Sequence, residues 1–382
     1  MKTILNSQLP SARAVPFSIL HCLCLLLCGC ITEFEAKHTE EISDVLVVEG
    51  IISDDESVII LSRSAGLNHD DTQDMSAYSV PDATVYVECD DGTQWEATFH
   101  PDWDLGFGKG NGSRYTVETG KLNPERQYRM KIEMEAHEYC SEFAGPMITP
   151  EIDSVFWTKK AKEQPVNINV ATHAADSMVR YYRWLYREDW ETRAKIPTSG
   201  YLSSCSKHNN SREILLGTTE KTAFGRLTYI LAAIPPSDDR FEFLYRMDVT
   251  QIAISKRAFD YYTNIKKNAQ QTGGIFAHIP SEIKGNITCI TDSNRPVIGY
   301  MDVSSATRAR LYIYRSEGVY ETYTDCPIYP LPTIREYFGT IPYNYVFTQY
   351  GYAERRCVDC QVDGGRPIGE LPDDWPYKYG ED

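Results

Sequence analysis

Residues 83–99 decide the fold of this chain, and they read Ala-Thr-Val-Tyr-Val-Glu-Cys-Asp-Asp-Gly-Thr-Gln-Trp-Glu-Ala-Thr-Phe. On both sides of the central acidic residues, apolar and polar side chains alternate, as they do in a strand with one buried face. An Asp-Gly pair between two such runs is a strong signal for a β-hairpin. The stretch therefore predicts two antiparallel strands that are joined by a turn at Asp90-Asp91-Gly92.

Similar short runs flank this hairpin on both sides, at 45–52, 57–62, 115–117 and 127–134. About seven short strands within roughly 100 residues are typical of an immunoglobulin- or fibronectin-like β-sandwich. We therefore predict an N-terminal β-sandwich domain over residues 44–150.

The second half predicts a larger β-rich α+β domain over residues 151–382. One helix is clear, because Ser255 is a good N-cap and apolar residues recur after it at helical spacing. In the strand at 181–187, Tyr182, Trp184 and Tyr186 share one face. We interpret this face as core packing, although aromatic residues in this pattern also suit the stacking of sugars or peptides. Predicted strands lie at 166–170, 180–190, 227–234, 297–300 and 309–314.

The N-terminal residues predict the cellular location of the protein. Residues 1–29 have a basic start and a short apolar run, which is typical of a cleaved signal peptide. The segment closes with Leu27-Cys28-Gly29-Cys30, a pattern that predicts lipid attachment at Cys30. Because Ile31 rather than Asp follows, we expect an outer-membrane lipoprotein. Glu33 and Glu35 lie just after the lipidated residue and resemble a surface-export signal, so we expect the cell surface rather than the periplasmic face. Residues 30–43 show no apolar pattern and predict a flexible tether.

Seven of the 11 cysteines remain after the leader and its lipidated residue are set aside. An exported protein lies where disulfides persist, so we expect them to pin the C-terminal tail to the second domain. Because seven is odd, at least one thiol stays unpaired within the chain. A redox motif or a zinc site at Cys357-x-x-Cys360 is the alternative. Cys89 and Cys140 are a weaker candidate pair in the first domain. The main disulfide candidates are Cys205, Cys289, Cys326, Cys357 and Cys360.

The formal net charge of −16 argues against nucleic acid, whose phosphates require clusters of Lys and Arg. No serine-hydrolase, metalloprotease, phosphate-loop or dinucleotide-binding motif occurs in the sequence. Two carboxylates among glycines in the loop at 102–112 leave calcium binding as an alternative, but the loop does not fit the EF-hand pattern, because Ser113 stands at the position of the bidentate Glu. We therefore predict no catalytic residues, no metal and no cofactor. Trp103 and Phe107 in that loop are candidate partner contacts.

A set of short blocks occurs along the chain in a fixed order, at 46–52, 182–184, 243–251, 255–271, 273–276, 279–287, 296–300, 357–360, 364–365, Pro367 and Trp375. Together these blocks resemble a family of Bacteroidota lipoproteins of unknown function. The C-terminal block departs from the family's usual Pro-Asp-Phe-Trp, because this chain has Pro372-Asp373-Asp374-Trp375. Members of that family are often encoded beside TonB-dependent outer-membrane receptors.

The resemblance implies a TonB-dependent β-barrel receptor as partner, with the lipid anchor as the contact with the membrane. The sequence thus predicts a non-enzymatic accessory or ligand-capture component of nutrient uptake, with a peptide or a glycan as ligand. Two alternatives stay open. One is a surface hydrolase with an unrecognised carboxylate site, and the other is a structural or adhesive module.

Overall fold

The computed structural model describes residues 45–54, 56–64, 78–101, 112–174, 179–211, 213–271, 284–319, 326–362, 364–367, 372 and 374–376, without the side chains at 269–271. The predicted lipid-attachment residue Cys30, the tether, and the loop residues Trp103 and Phe107 lie outside these residues. Residues 43–382 form one compact unit. The predicted domain boundary at 150/151 stays a prediction.

The chain is mainly β, as predicted. Its first strands are β1 (Leu46–Ile52), β2 (Glu56–Arg63), β3 (Thr84–Cys89), β4 (Gln94–Glu96), β5 (Thr98–His100), β6 (Ser113–Glu118), β7 (Tyr128–Met134) and β8 (His137–Ser141). The next strands are β9 (Ser154–Thr158), β10 (Val166–His173), β11 (Tyr181–Arg193), β12 (Ser204–Asn210), β13 (Leu215–Thr218), β14 (Arg226–Ile234) and β15 (Leu244–Ile254). The last are β16 (Ile287–Cys289), β17 (Val297–Val303), β18 (Ala306–Tyr314), β19 (Tyr345–Thr348), β20 (Gly351–Glu354) and β21 (Arg366–Pro367). The helices are α1 (Lys256–Gln271), α2 (Leu331–Phe338) and α3 (Arg355–Val358).

The first eight strands form a two-sheet sandwich that is completed from the second half of the chain. One sheet has the order β17-β1-β2-β6-β5, and the other has the order β16-β8-β7-β3-β4. Strand β17 runs parallel to β1, whereas β16 pairs antiparallel with β8. The predicted hairpin is present, with Val85 and Val87 of β3 fully buried against Ile132 of β7. Alternation along these strands therefore places every second side chain in the sandwich core.

A second β-layer structure follows the sandwich. Its large sheet has the order β18-β15-β11-β12-β21, with β13 also paired to β11, and its small sheet has the order β14-β10-β9. Tyr182 and Trp184 lie fully buried between the two sheets, which confirms core packing for the aromatic face of β11. The predicted helix is α1, whose first turn is capped because the Ala258 N–H donates to Ser255 Oγ at 3.0 Å. It packs against the other face of the large sheet.

Disulfides staple the C-terminal region, as predicted. They join Cys205 to Cys360 and Cys326 to Cys357. Cys289 was also a candidate, but it is a free, buried thiol of β16 in the sandwich core. Cys89 and Cys140 are unpaired as well.

Strand geometry explains why Cys89 and Cys140 do not form a pair. Cys89 lies on β3 and Cys140 on β8, and β7 separates these two strands in the sheet. Two strand spacings amount to roughly 9–10 Å, which exceeds the ~7 Å that a disulfide spans between Cα atoms.

Candidate interaction surface

The two disulfides enclose and anchor a small aromatic module, which we define as residues 326–357. Cys326–Cys357 closes the module at its base, and Cys205–Cys360 fixes the chain that leaves it to strand β12. Inside this loop, α2 begins directly after Pro330 and ends at Gly339, which adopts a φ of 71°. Such a left-handed glycine is a common helix terminator. The chain then forms the β19–β20 hairpin, whose two central turn residues are Gln349 and Tyr350.

The inner side of the module packs on the body of the protein. Ala353 and Cys357 are buried against Ile196, with Val346 packed beside them. Backbone bonds reinforce this contact, because the Ile196 N–H donates to the Cys357 carbonyl at 2.9 Å. Covalent links and main-chain bonds therefore hold the module in place, together with a very small apolar cluster.

The outer side of the module exposes large aromatic side chains. Tyr343 is 100% exposed, Tyr337 73%, Phe347 68% and Tyr350 67%. The segment 337–353 contains these four residues and no Asp, Glu, Lys or Arg, although such residues make up 24% of the chain. This part of the surface is thus both apolar and uncharged.

Exposed aromatic rings at this density indicate a binding surface. Full burial of four such rings would remove on the order of 600 Å² from water, close to the ~800 Å² that one partner buries in a standard protein interface. Interface cores are enriched in Tyr and Phe and depleted of charge, and these features also describe the segment 337–353 of the module. Scattered single apolar residues would need no explanation, but several exposed rings within one short segment indicate a binding surface.

Ring contacts preorganise this surface. Tyr329 lies at its centre, with ring centroids 6.3 Å from Tyr337, 6.3 Å from Phe338 and 6.0 Å from Tyr345. Phe347 contacts Tyr352 at 5.2 Å across the hairpin. Because the exposed rings of Tyr337 and Phe347 are supported in this way, less side-chain entropy is lost when a partner covers them.

A buried cluster of ionisable groups around Glu188 is satisfied by hydrogen bonds within the protein. Glu188 is fully buried and accepts hydrogen bonds from Tyr245 at 2.5 Å, from Asn209 at 2.7 Å and from Arg240 at 3.2 Å. Burial and the Glu188 carboxylate raise the pKa of Tyr245 well above its usual value. This arrangement keeps the tyrosine protonated and the carboxylate paired, so it favours a structural role.

A second buried carboxylate, Asp302, lies where β17 of the sandwich meets α1 and β11. It accepts a hydrogen bond from the Tyr262 hydroxyl at 3.1 Å, and the Arg183 guanidinium stacks over the Tyr262 ring at 4.5 Å. Burial raises the pKa of Asp302 to about 6, against the opposing effects of Arg183 and Tyr262. The contact between the sandwich and the rest of the body is therefore more stable when the Asp302 carboxyl is protonated, and it weakens as the pH rises through about 6.

A shallow, acidic depression lies at the β7–β8 turn, where Glu135 adopts a φ of 54°. Its volume is about 420 Å³. The Glu135 carboxylate already pairs with Arg63 at 2.6 Å and with Arg295 at 3.4 Å. Among the described residues, no group of three or more His, Cys, Asp or Glu side chains is arranged to hold a metal ion.

The sequence predicted the cysteines that anchor the module, but it did not predict the aromatic surface that they hold. The structure brings together four of the five candidate cysteines, Cys205, Cys326, Cys357 and Cys360, beside the aromatic surface. The available signal was the uncharged aromatic segment 337–353, which lies between two of these cysteines.

Of the comparisons with known proteins, the one that found a match covers residues 31–310. A family model described as a domain of unknown function (DUF4249) matches residues 31–310. A search of curated proteins found no match. Within the described part of the chain, no helix has both the length and the apolar character that crossing a membrane requires. The aromatic module at 326–357 lies beyond the matched range.

Proposed function

The chain belongs to the DUF4249 family, and we propose that it is a non-enzymatic accessory lipoprotein of a TonB-dependent uptake system in the outer membrane. In this role it binds a protein partner of that system. Cys30 carries the lipid, and residues 30–43 form the tether. The aromatic module is the surface that meets the partner, which we take to be the TonB-dependent β-barrel receptor itself.

The exposed, uncharged aromatic surface of the module is the observation that carries this proposal. A catalytic site needs ionisable groups that converge on a cleft, whereas this surface presents Tyr and Phe rings without charge. In addition, the buried carboxylates Glu188 and Asp302 already have partners within the protein. Recognition of another molecule is therefore the role that the described geometry supports best.

Recovery of the full-length chain from detergent-solubilised outer membranes tests the proposal. We expect a β-barrel receptor to be recovered with the wild-type protein. The triple change Tyr343→Ser, Phe347→Ser and Tyr350→Ser should reduce this recovery at least tenfold, because it removes most of the exposed aromatic area. Recovery that is unchanged in the triple variant, or the absence of any β-barrel in the wild-type sample, would overturn the proposal.

Phe224 supplies a matched control. This residue is 98% exposed but lies on the turn before β14, outside the module. Phe224→Ser therefore removes a comparable exposed ring without touching the module, and we expect normal recovery of the receptor.

Replacement of the anchor is the second control. In Cys30→Ser the thiol that would be acylated is missing, so we expect the chain to leave the membrane fraction. Metabolic labelling with a fatty acid reports the same event directly. A labelled Cys30→Ser protein would show that the lipid is attached elsewhere.

A further inference from the structure

The two edges of the β19–β20 hairpin of the aromatic module differ. The β20 edge is hydrogen-bonded to Tyr329, whereas no described strand pairs with the β19 edge. Tyr352 of β20 is bonded on its outer side to Tyr329, because each residue's N–H donates to the other's carbonyl at 2.8 Å. In antiparallel pairs, hydrogen-bonded and non-hydrogen-bonded positions alternate. Since both backbone groups of Tyr352 face Tyr329, its cross-strand partner Phe347 is in a non-hydrogen-bonded position.

The backbone of Phe347 therefore points away from β20. Its N–H and carbonyl face the outer edge of β19, where no described strand pairs with them. On the same strand, Tyr345 is different, because its N–H already donates to the Pro342 carbonyl at 3.0 Å. The open edge is thus centred on Phe347.

Strand β19 is short, but it lacks the charged and proline residues that commonly protect an edge strand. Natural edges are commonly blocked by lysine, by inward-pointing charges or by proline, because an unpaired row of N–H and C=O groups recruits other chains. Strand β19, Tyr345–Thr348, contains none of these residues. Instead, Tyr343 and Tyr350 expose their rings near the two ends of the strand.

We propose that this edge binds an extended, uncharged peptide segment as an added β-strand. The proposal rests on the proposed function, since it specifies how the aromatic module holds its partner. The Phe347 N–H donates to a carbonyl of the incoming strand, and the Phe347 carbonyl accepts from one of its N–H groups. Alternate side chains of the peptide pack against the exposed rings. Because 337–353 carries no charge, charged residues in the peptide would be desolvated without a partner.

Two substitutions at one position separate the backbone contribution from the side-chain contribution. Phe347→Ala removes the ring and keeps the N–H, whereas Phe347→Pro removes both. Proline fits an edge position whose N–H faces outward, and the hairpin does not use this N–H. Circular dichroism and an intact Cys326–Cys357 disulfide check that both variants fold.

The probes are capped, uncharged hexapeptides in which Val or Tyr alternates with Thr or Asn, with binding to the full chain measured by fluorescence anisotropy. We expect Phe347→Ala to bind more weakly than the wild type, and Phe347→Pro to bind at least fivefold more weakly than Phe347→Ala. In the wild type, exchange of the Phe347 amide hydrogen should slow when the peptide is added. Equal affinity of the two variants, or unchanged exchange at Phe347, would show that no strand is added and would overturn the inference.

The failure of this inference and that of the proposed function give different results. If no hexapeptide binds while the aromatic rings are still required for recovery of the receptor, the strand-addition mode is wrong and the proposed function stands. If the peptides bind with the expected backbone dependence but no receptor is recovered from membranes, the proposed function is wrong. Binding of uncharged oligosaccharides in place of every peptide overturns the strand-addition mode as well.

Discussion

The sandwich and the aromatic module deal with apolar side chains in opposite ways. In the sandwich, Val85 and Ile132 are fully buried between two sheets, and the free thiols of Cys89 and Cys289 lie in the same core without any crosslink. The module has almost no core and relies on two disulfides, while Tyr343 stands fully in solvent. Small segments that cannot bury enough apolar surface commonly depend on such staples. Because covalent links hold the module, its aromatic rings are available to a partner.

Truncation in the sandwich core is expected to have the largest effect on stability. Ile132→Ala removes three carbon atoms from a fully buried side chain of β7, so we expect a loss of about 4 kcal/mol in the free energy of unfolding. Urea denaturation of the protein without its leader measures this loss. At denaturant concentrations where the variant is still folded, peptide binding by the module should be unchanged. A loss of less than about 1 kcal/mol would contradict the account of the sandwich as the self-supporting region.

Removal of the module's own disulfide is expected to have a slightly smaller and local effect. Cys326→Ser with Cys357→Ser opens a loop with a sequence separation of 31 residues. A closed loop of this size contributes about 3.7 kcal/mol through the entropy of the unfolded chain. We expect rapid hydrogen exchange throughout 326–357 with unchanged exchange in β3 and β7. Comparable loosening of the sandwich would show that the two regions are not held independently.

The junction at Asp302 gives a pH-dependent effect of about 3 kcal/mol. Its pKa is raised from 3.8 to about 6 in the folded protein, so the folded state binds the proton more tightly than the unfolded state does. Stability from this group is therefore present at low pH and is lost as the pH rises from about 4 through 6. Of this effect, wild type should lose about 2 kcal/mol relative to Asp302→Asn between pH 4 and pH 7. A parallel pH dependence in the two proteins would contradict this assignment.

The smallest effect on stability is expected on the module surface. Tyr343→Ser changes a fully exposed side chain, so the free energy of unfolding should shift by less than about 0.5 kcal/mol. Thermal unfolding beside the wild type measures the shift. A larger loss would mean that Tyr343 supports the fold rather than a partner.

The same contrast explains what could be predicted from the sequence. Alternation around Asp91-Gly92 predicted the β3–β4 hairpin, and Ser255 with its helical spacing predicted α1, because both depend on local chemistry. The pairing of β16 with β8 and of β17 with β1 could not be predicted from the sequence, because a strand pattern does not show which distant strand will be its partner.

The candidate site was harder to predict than the fold. Four cysteines were correctly assigned to staples of the tail, but their pairing was open, so the loop that they enclose could not be defined. Without that loop, the aromatic residues of 337–353 could not be separated from ordinary core residues. Only the structure shows that Tyr343 and Phe347 face solvent, whereas Trp184 is buried.

Hydrogen exchange of the full-length chain in the solubilised outer-membrane complex, compared with the free chain, tests the central claim most directly. The account predicts that amide exchange slows within 337–353, most of all at Phe347, and stays unchanged in β3 and β7. Protection confined to the sandwich strands, with unchanged exchange in 337–353, would contradict it. That result would assign partner binding to the N-terminal region instead.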